Sequence, residues 1–193
     1  MGFHTFDVDR ADKLDDPTRY AYLSVDELLA LFRPSGEDVV ADLGSGTGFY
    51  TEDVAPYAES VYAVDVQPDM HDHYRQKGAS EAVTFVTAEV SDLPFEDDAL
   101  DAAFSTMTYH EFANADALAE VERVLRPGGR LGIGDWTAAG EGERGPPLSE
   151  RFDAETARRD LEAAGFEVVR GRTDERRSSC RRGPSPIIIP KSA

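Results

Sequence analysis

The sequence predicts a doubly wound α/β fold, a mostly parallel sheet with helices on both faces, and three observations carry that prediction. An apolar run ends at Asp42 and opens into glycines at every second position, Gly44, Gly46 and Gly48. A second apolar run, Val61–Val66, carries an acid, Asp65, 21 residues beyond Gly44. Further apolar runs then alternate with helical segments to about residue 170, the order that builds parallel β-α-β units.

The first observation reads as a buried strand, a turn too tight for side chains, and a helix start facing whatever lies over the turn. Dinucleotide-binding turns read G-x-G-x-x-G. Here position 49 is Phe and the third glycine comes one residue early. An acid at the end of the second strand can accept both hydroxyls of an adenosine ribose, which is the role expected of Asp65. Without a ligand, the same residues would be a plain strand-to-helix turn and a solvated strand-end carboxylate.

The remaining elements follow in order. Ser24 and Glu27 form a capping-box pair for a helix over residues 24–32, with Leu28, Leu29, Leu31 and Phe32 as its apolar face and Pro34 as its stop. Phe49–Tyr57 suits a short helix ended by Pro56, and Pro68 and Asp69 open another that Gly78 closes. That helix carries His71 and His73, but residues two apart on a helix point away from each other, so a solvated face is expected rather than a metal site. Val83–Thr87 is a third strand and Ala102–Ser105 a fourth. Asp116–Leu125 is amphipathic, Arg126–Gly129 is a turn, and Arg130–Trp136 is a fifth strand. Residues 137–150, rich in Gly, Pro and Glu, read as a mobile loop able to act as a lid. Asp153–Ala164 is a final helix before a sixth strand, Phe166–Arg170.

Thr106–Phe112 leaves the carboxyl end of strand four, where ligands bind in open α/β sheets. Tyr109, His110 and Glu111 therefore stand where chemistry is expected. The reference pKa of histidine suits His110 to general-base work, although an acceptor that is already anionic needs no base. His110 is thus either a substrate-facing residue or a base.

In the D-x-G-x-G-x-G form of residues 42–48, the Leu93-Pro-Phe95 turn with its acidic loop, and the phrase Leu125-Arg-Pro-Gly-Gly-Arg-Leu131, the chain resembles the class I S-adenosylmethionine-dependent methyltransferases. The resemblance covers roughly residues 20–170 and implies a Rossmann-like domain that uses S-adenosylmethionine to methylate a small molecule. It implies that Gly44, Ser45 and Gly46 let the backbone approach the methionyl part, with Asp42 helping to hold that end. It implies that Val66 and Glu89 meet the adenine and that Ser105 lies beside the cofactor. Residues before the first motif often lie over cofactor and substrate in this family. His4, Tyr20 and Tyr22 are therefore expected to meet the acceptor, or else to anchor the N-terminal segment on the core, and Tyr109, beyond strand four, is expected to meet the acceptor as well.

Composition excludes other classes. The chain has 38 acids against 20 bases, a net charge of −18, and lysine only at positions 13, 77 and 191. Such a surface stays hydrated where salt screens self-repulsion and suits a salt-loving organism's cytosol. It argues against nucleic acid, which needs clustered Lys and Arg. One cysteine, Cys180, gives neither a disulfide framework nor a Cys-based zinc site, and disfavours trivalent arsenic as acceptor. No apolar run spans a membrane and the start lacks the form of a signal peptide, so a cytoplasmic location is expected. A monomer or homodimer without metal, nucleic acid or membrane is expected. No Tyr-x-x-x-Lys pair and no G-x-x-x-x-G-K-[ST] loop is present, against a nicotinamide-dependent oxidoreductase and a P-loop hydrolase. A non-catalytic cofactor-binding protein, a sensor or partner subunit, remains open.

The chain divides into an N-terminal cap segment and helix (1–36), the main domain (37–170) and an atypical tail (171–193). Residues 170–182 hold six arginines and two acids, after 169 residues with 36 acids and 13 bases. The tail is either a basic interaction segment or one not native to the domain, as a reading-frame change near the gene's end would produce. The shift of composition without any motif favours the latter. Pro184, Pro186 and Pro190 around Ile187–Ile189 fit a central strand badly, so the final antiparallel strand is doubtful on sequence.

Overall fold

The structure, a computed structural model, describes residues 6–139, 142, 144–168, 170–171 and 185–190. Seven strands form one sheet in the order β3-β2-β1-β4-β5-β7-β6. β1 (Val39–Leu43), β2 (Ser60–Asp65), β3 (Val83–Thr87), β4 (Leu100–Thr106) and β5 (Leu125–Asp135) are mutually parallel. β7 (Ser185–Pro190) runs antiparallel to both β5 and β6 (Arg170–Gly171). The chain leaves β1 toward β2 and β3, then returns to the other side of β1 with β4. That reversal makes a crevice beyond the carboxyl ends of β1 and β4.

Alternation along the strands feeds two cores. Val40, Val61, Ala102 and Phe104 pack on α1 (Val25–Phe32) and α2 (Thr51–Val54). Ala41, Leu43, Val64, Ala103, Leu131 and Ile133 pack on α5 (Ala115–Val124) and α6 (Ala154–Ala163). The side-chain period of two sends neighbours to opposite faces, and burial on both explains the near-continuous apolar runs. α1 is held as its sequence predicts. Ser24 accepts from the Glu27 amide, Glu27 reaches back, and Phe32 stacks on Phe104 at 5.1 Å. Burying Leu28, Leu31 and Phe32 contributes roughly 1.5–3 kcal/mol each.

Several boundaries differ from the sequence reading. α2 ends at Val54, and Pro56 sits at the start of a 3-10 turn, Ala55–Tyr57, where its missing N–H costs nothing. β5 begins at Leu125 rather than after Gly129. Leu100 pairs Leu125 and Ala102 pairs Arg130, so Arg126–Gly129 is extruded as a bulge within the strand. α3 (Pro68–Lys77) buries His71 to 1 % exposure, against Phe85 and the Thr87 hydroxyl, which corrects the expected solvated face. No metal-binding group of His, Cys, Asp and Glu occurs among the described residues. The sixth strand is the short Arg170–Gly171 rather than Phe166–Arg170.

The doubt over the last strand is also corrected. β7 pairs with β5 from Arg130↔Pro190 to Asp135↔Ser185. β6 faces only Ile187 and Ile188, so Pro186 and Pro190 lie beyond the doubly paired stretch, where a missing N–H breaks no shared ladder. The arginine-rich residues 172–184 lie outside the described residues. No helix among the described residues is long and apolar enough to cross a membrane.

Candidate active site

The turn after β1 is built by conformation. Gly44 and Gly48 adopt φ of +82° and +77°, where other residues are strained. A Cβ on Gly44 would overlap the Thr108 side chain, and one on Gly48 the Tyr74 ring. Backbone therefore comes close to two neighbouring elements at once. The amides of Gly44 and Ser45 donate to Val64 O, and the Gly46 amide donates to Asp65 Oδ2 at 2.8 Å. Asp65 Oδ1 accepts from the Gln67 amide at 2.9 Å. Two fixed amides thus orient the carboxylate, and each oxygen keeps a lone pair for a ligand.

A cavity of about 870 Å³ lies over this turn. Its floor is the carboxyl end of the sheet: Gly44, Ser45, Gly46, Asp65, Val66, Glu89 and Thr106–Thr108. α4 (Tyr109–Phe112), one helical turn after β4, adds His110, Glu111 and Phe112. The N-terminal segment covers it as two 3-10 helices, Val8–Asp15 and Pro17–Ala21, capped by Asp7 and Asp16. Asp15 accepts from Thr47 and Lys77, and Gln67 donates to Phe6 O, which ties this cover to the floor. Arg144–Pro147 and Glu150 complete the wall. The buried Arg151 pins that stretch, donating to the carbonyls of Pro146, Thr137 and Arg144.

Of the residues singled out in the sequence, Gly44, Ser45, Gly46, Asp65, Val66, Glu89, Tyr22 and His110 line the cavity. Asp42, Ser105, Tyr20 and Tyr109 do not. Asp42, 1 % exposed, lies beneath the turn, where Oδ2 accepts from Thr51 at 2.6 Å and Oδ1 has no partner among the described residues. Burial pushes its pKa up to about 7. Ser105 is fully buried, its hydroxyl without a partner among the described residues, because strand alternation sends Thr106 to the cavity in its stead. Tyr20 turns outward to donate to Asp53 at 2.8 Å. Tyr109 faces a separate small cavity with Phe152 and Ala157. His4 lies outside the described residues.

His110 is held by a residue the sequence reading passed over. Asp135, at the carboxyl end of β5, accepts from the His110 amide at 2.7 Å and from the Trp136 amide at 2.6 Å. Its oxygens lie 3.0 Å from His110 Nδ1, so Nδ1 carries a proton and Nε2 faces outward. Burial works against the imidazolium, but the hydrogen bond and charge of Asp135, with Glu111 and Glu150, outweigh it and raise the pKa. Glu111 Oε1 is 3.9 Å from Nε2, and burial lifts that carboxyl to about 7. The signal for Asp135 was present: an acid closing an apolar run, as Asp65 does.

The second unanticipated group is Arg19. It lies over the rings of Phe49 and Tyr50 at 5.0 and 5.1 Å and donates to Leu14 O. No carboxylate among the described residues ion-pairs with it, in a chain carrying 38 acids.

Residues 41–133 match the family described as methyltransferase domain. The chain is 32 % identical over 130 residues to a methyltransferase-like protein of Schizosaccharomyces pombe, covering 67 % of this chain and 50 % of that one. It is 39 % identical over 100 residues to a methyltransferase of Mycobacterium bovis, covering 52 % and 40 %. The chain thus spans about half the length, or less, of these curated relatives. Its fold superimposes on a SAM-dependent methyltransferase from Aquifex aeolicus with a TM-score of 0.84 and 28 % identity, covering 97 % of this chain and all of that one. The glycine turn, the strand-end acid and the cavity between them all fall in or beside the matched span. Residues 41–133 thus match a methyltransferase domain, on a fold shared with that SAM-dependent enzyme.

Proposed function

We propose that the protein transfers a methyl group from S-adenosylmethionine to a small-molecule acceptor. The observation that carries this is one continuous cavity running from the oriented carboxylate of Asp65 to His110. Its volume, about 870 Å³, lies in the range of ligand and cofactor sites. The cofactor fits the residues present. The turn brings the backbone of Gly44, Ser45 and Gly46 to the cavity wall, Asp65 offers two oxygens to ribose hydroxyls, and Val66 and Glu89 line the same cavity for the adenine. Ser45 and Gly46 border the methionyl end, and Arg19 supplies a cation for its carboxylate. When bound, S-adenosylmethionine supplies an electrophilic methyl on a sulfonium. The protein's own part is to hold an acceptor in line with that methyl, exclude water beneath the N-terminal cover, and orient His110. An open path to His110 supports catalysis over a purely cofactor-sensing role, since an acceptor can enter.

The acidic surface supports work in a salt-rich cytosol, by a monomer or homodimer, on a free small molecule rather than nucleic acid or membrane. The test is calorimetric titration in multimolar potassium chloride with S-adenosylhomocysteine and, separately, NAD. Micromolar binding of S-adenosylhomocysteine that Asp65→Ala abolishes is the expected result. Binding of NAD alone would overturn the proposal.

A further inference from the structure

His110 shares its part of the cavity with an aromatic wall. Trp136 follows Asp135 directly, Phe112 lies two residues along the same helical turn, and Tyr22 meets the Trp136 ring at 5.1 Å. Asp135 is fully engaged by two amides and the imidazole, so it fixes the ring and leaves Nε2 without a hydrogen bond among the described residues. The charges facing this imidazole are Asp135 from β5, Glu111 from its own helix and Glu150 from the 3-10 turn Leu148–Glu150. All three are acids. They disfavour an acceptor that arrives as an anion, which would in any case need no base. They favour a neutral one that must lose a proton to react.

We propose that the acceptor is a neutral aromatic hydroxyl, a phenol seated against Trp136, Phe112 and Tyr22, whose proton passes to His110 Nε2. Asp135 is the positioning residue that keeps Nδ1 protonated and Nε2 free. The O–H bond breaks with its electron pair left on oxygen, and the proton forms an N–H bond at Nε2. That pair makes the bond from oxygen to the methyl carbon, whose bond to sulfur breaks with its electrons on sulfur, giving a neutral thioether. The imidazolium then returns its proton to solvent. The methyl donor rests on the function proposed above; the proton transfer does not.

The test therefore uses 4-hydroxyacetophenone, a weaker acid than 4-nitrophenol, and the full chain, with and without S-adenosylhomocysteine, at a pH above the His110 midpoint, where the imidazole is neutral and the free probe is still mostly protonated. Binding beside His110 should raise the phenolate absorption on the order of tenfold, the scale of one charge-assisted hydrogen bond. His110→Gln should bind the probe without that band. Asp135→Asn should do the same, because an amide facing Nδ1 reverses the tautomer. Nitrogen NMR of the unsubstituted protein tests the same point without any variant: Nδ1 should carry the proton and Nε2 should gain one as the probe binds. Failure of the probe to bind, binding without ionisation, an equal band in His110→Gln, or an Nε2–H tautomer in the free protein would each overturn the proposal. Loss of S-adenosylhomocysteine binding with the phenolate band intact would remove only the donor.

Discussion

Asp42 gives the sharpest quantitative prediction, because the fold holds its carboxyl in an environment that disfavours charge. The side chain is 1 % exposed, one oxygen accepts from Thr51, and the other has no partner among the described residues. Desolvation raises its pKa from 3.8 to about 7; the charge of Asp65 adds to this, and Thr51 and Arg19 oppose it. An acid whose folded pKa lies above its unfolded one binds more protons in the native state between those values. Stability therefore falls as pH rises from about 4 toward 7, and the full penalty stands above it. A shift of about 3 units at about 1.4 kcal/mol each gives a penalty on the order of 4 kcal/mol. Asp42→Asn removes the titration. The amide keeps the Thr51 bond but turns an N–H toward the empty side, at a cost of about 1–3 kcal/mol that does not vary with pH. The informative quantity is thus the change with pH, not the absolute difference. Urea unfolding at fixed salt should favour the variant over the wild type by about 2 kcal/mol more at about pH 8.5 than at about pH 5.5. Glu111 titrates in the same direction but is common to both chains and cancels. A stability gap that is flat across this range would refute the reasoning, since an ionised Asp42 would then be compensated within the fold.

Other expectations follow from the same geometry. Gly48→Ala drives a methyl group into the buried Tyr74 ring at positive φ and should cost roughly 2–4 kcal/mol by thermal or urea unfolding, whereas Gly46→Ala meets only Leu14 at 3.3 Å and should cost less. Arg19→Leu should weaken S-adenosylhomocysteine roughly 10–100-fold in calorimetry while leaving 5′-methylthioadenosine, which lacks the carboxylate, unchanged. Equal losses for both ligands would place the guanidinium elsewhere. Methyl transfer to a phenol should rise with pH as His110 loses its proton, from a midpoint above the ordinary histidine value, and Asp135→Asn should lower the plateau about 10²-fold or more. The raised pKa of His110 also adds stability at low pH, which fades as pH rises through it.

The parallel sheet was legible because its signals are local and redundant. Apolar runs long enough for a strand buried on both faces recur with caps, such as Ser24 with Glu27, between them. The glycine turn was legible because the positive φ of Gly44, Gly46 and Gly48 admits few residue types, and Asp65 because an acid at a strand end stands at a telling distance from that turn. Depth was not legible. Asp42 and Ser105 lie on strands where one residue's difference in phase sends a side chain under the sheet's edge instead of over it. The sequence alone does not reveal how far the turn lifts the chain after Leu43. Tyr20 and Tyr109 show the same limit for aromatics, whose rings follow whichever wall is nearest. β7 was doubted for its prolines because a proline's effect depends on which neighbour is opposite, and that is a property of the assembled sheet.

An N-terminal cap was expected, but its 3-10 turns escaped the sequence reading for a different reason. Residues 8–21 have no helical or strand period; 3-10 turns capped by Asp7 and Asp16 need only local side-chain-to-backbone bonds. Their role is visible in charge. In a chain with nearly twice as many acids as bases, Arg10, Lys13 and Arg19 all border the cavity. Surface acids cost little in salt water, whereas a cation over two aromatic rings with no carboxylate partner among the described residues gives up hydration without an ion pair in return. Such a group persists where an anion completes it. The methionyl carboxylate is the anion the neighbouring glycine turn would bring, so the affinity lost in Arg19→Leu should come entirely from that end of the ligand. Comparing the ligand with and without its carboxylate therefore tests the cover and the cofactor's orientation together.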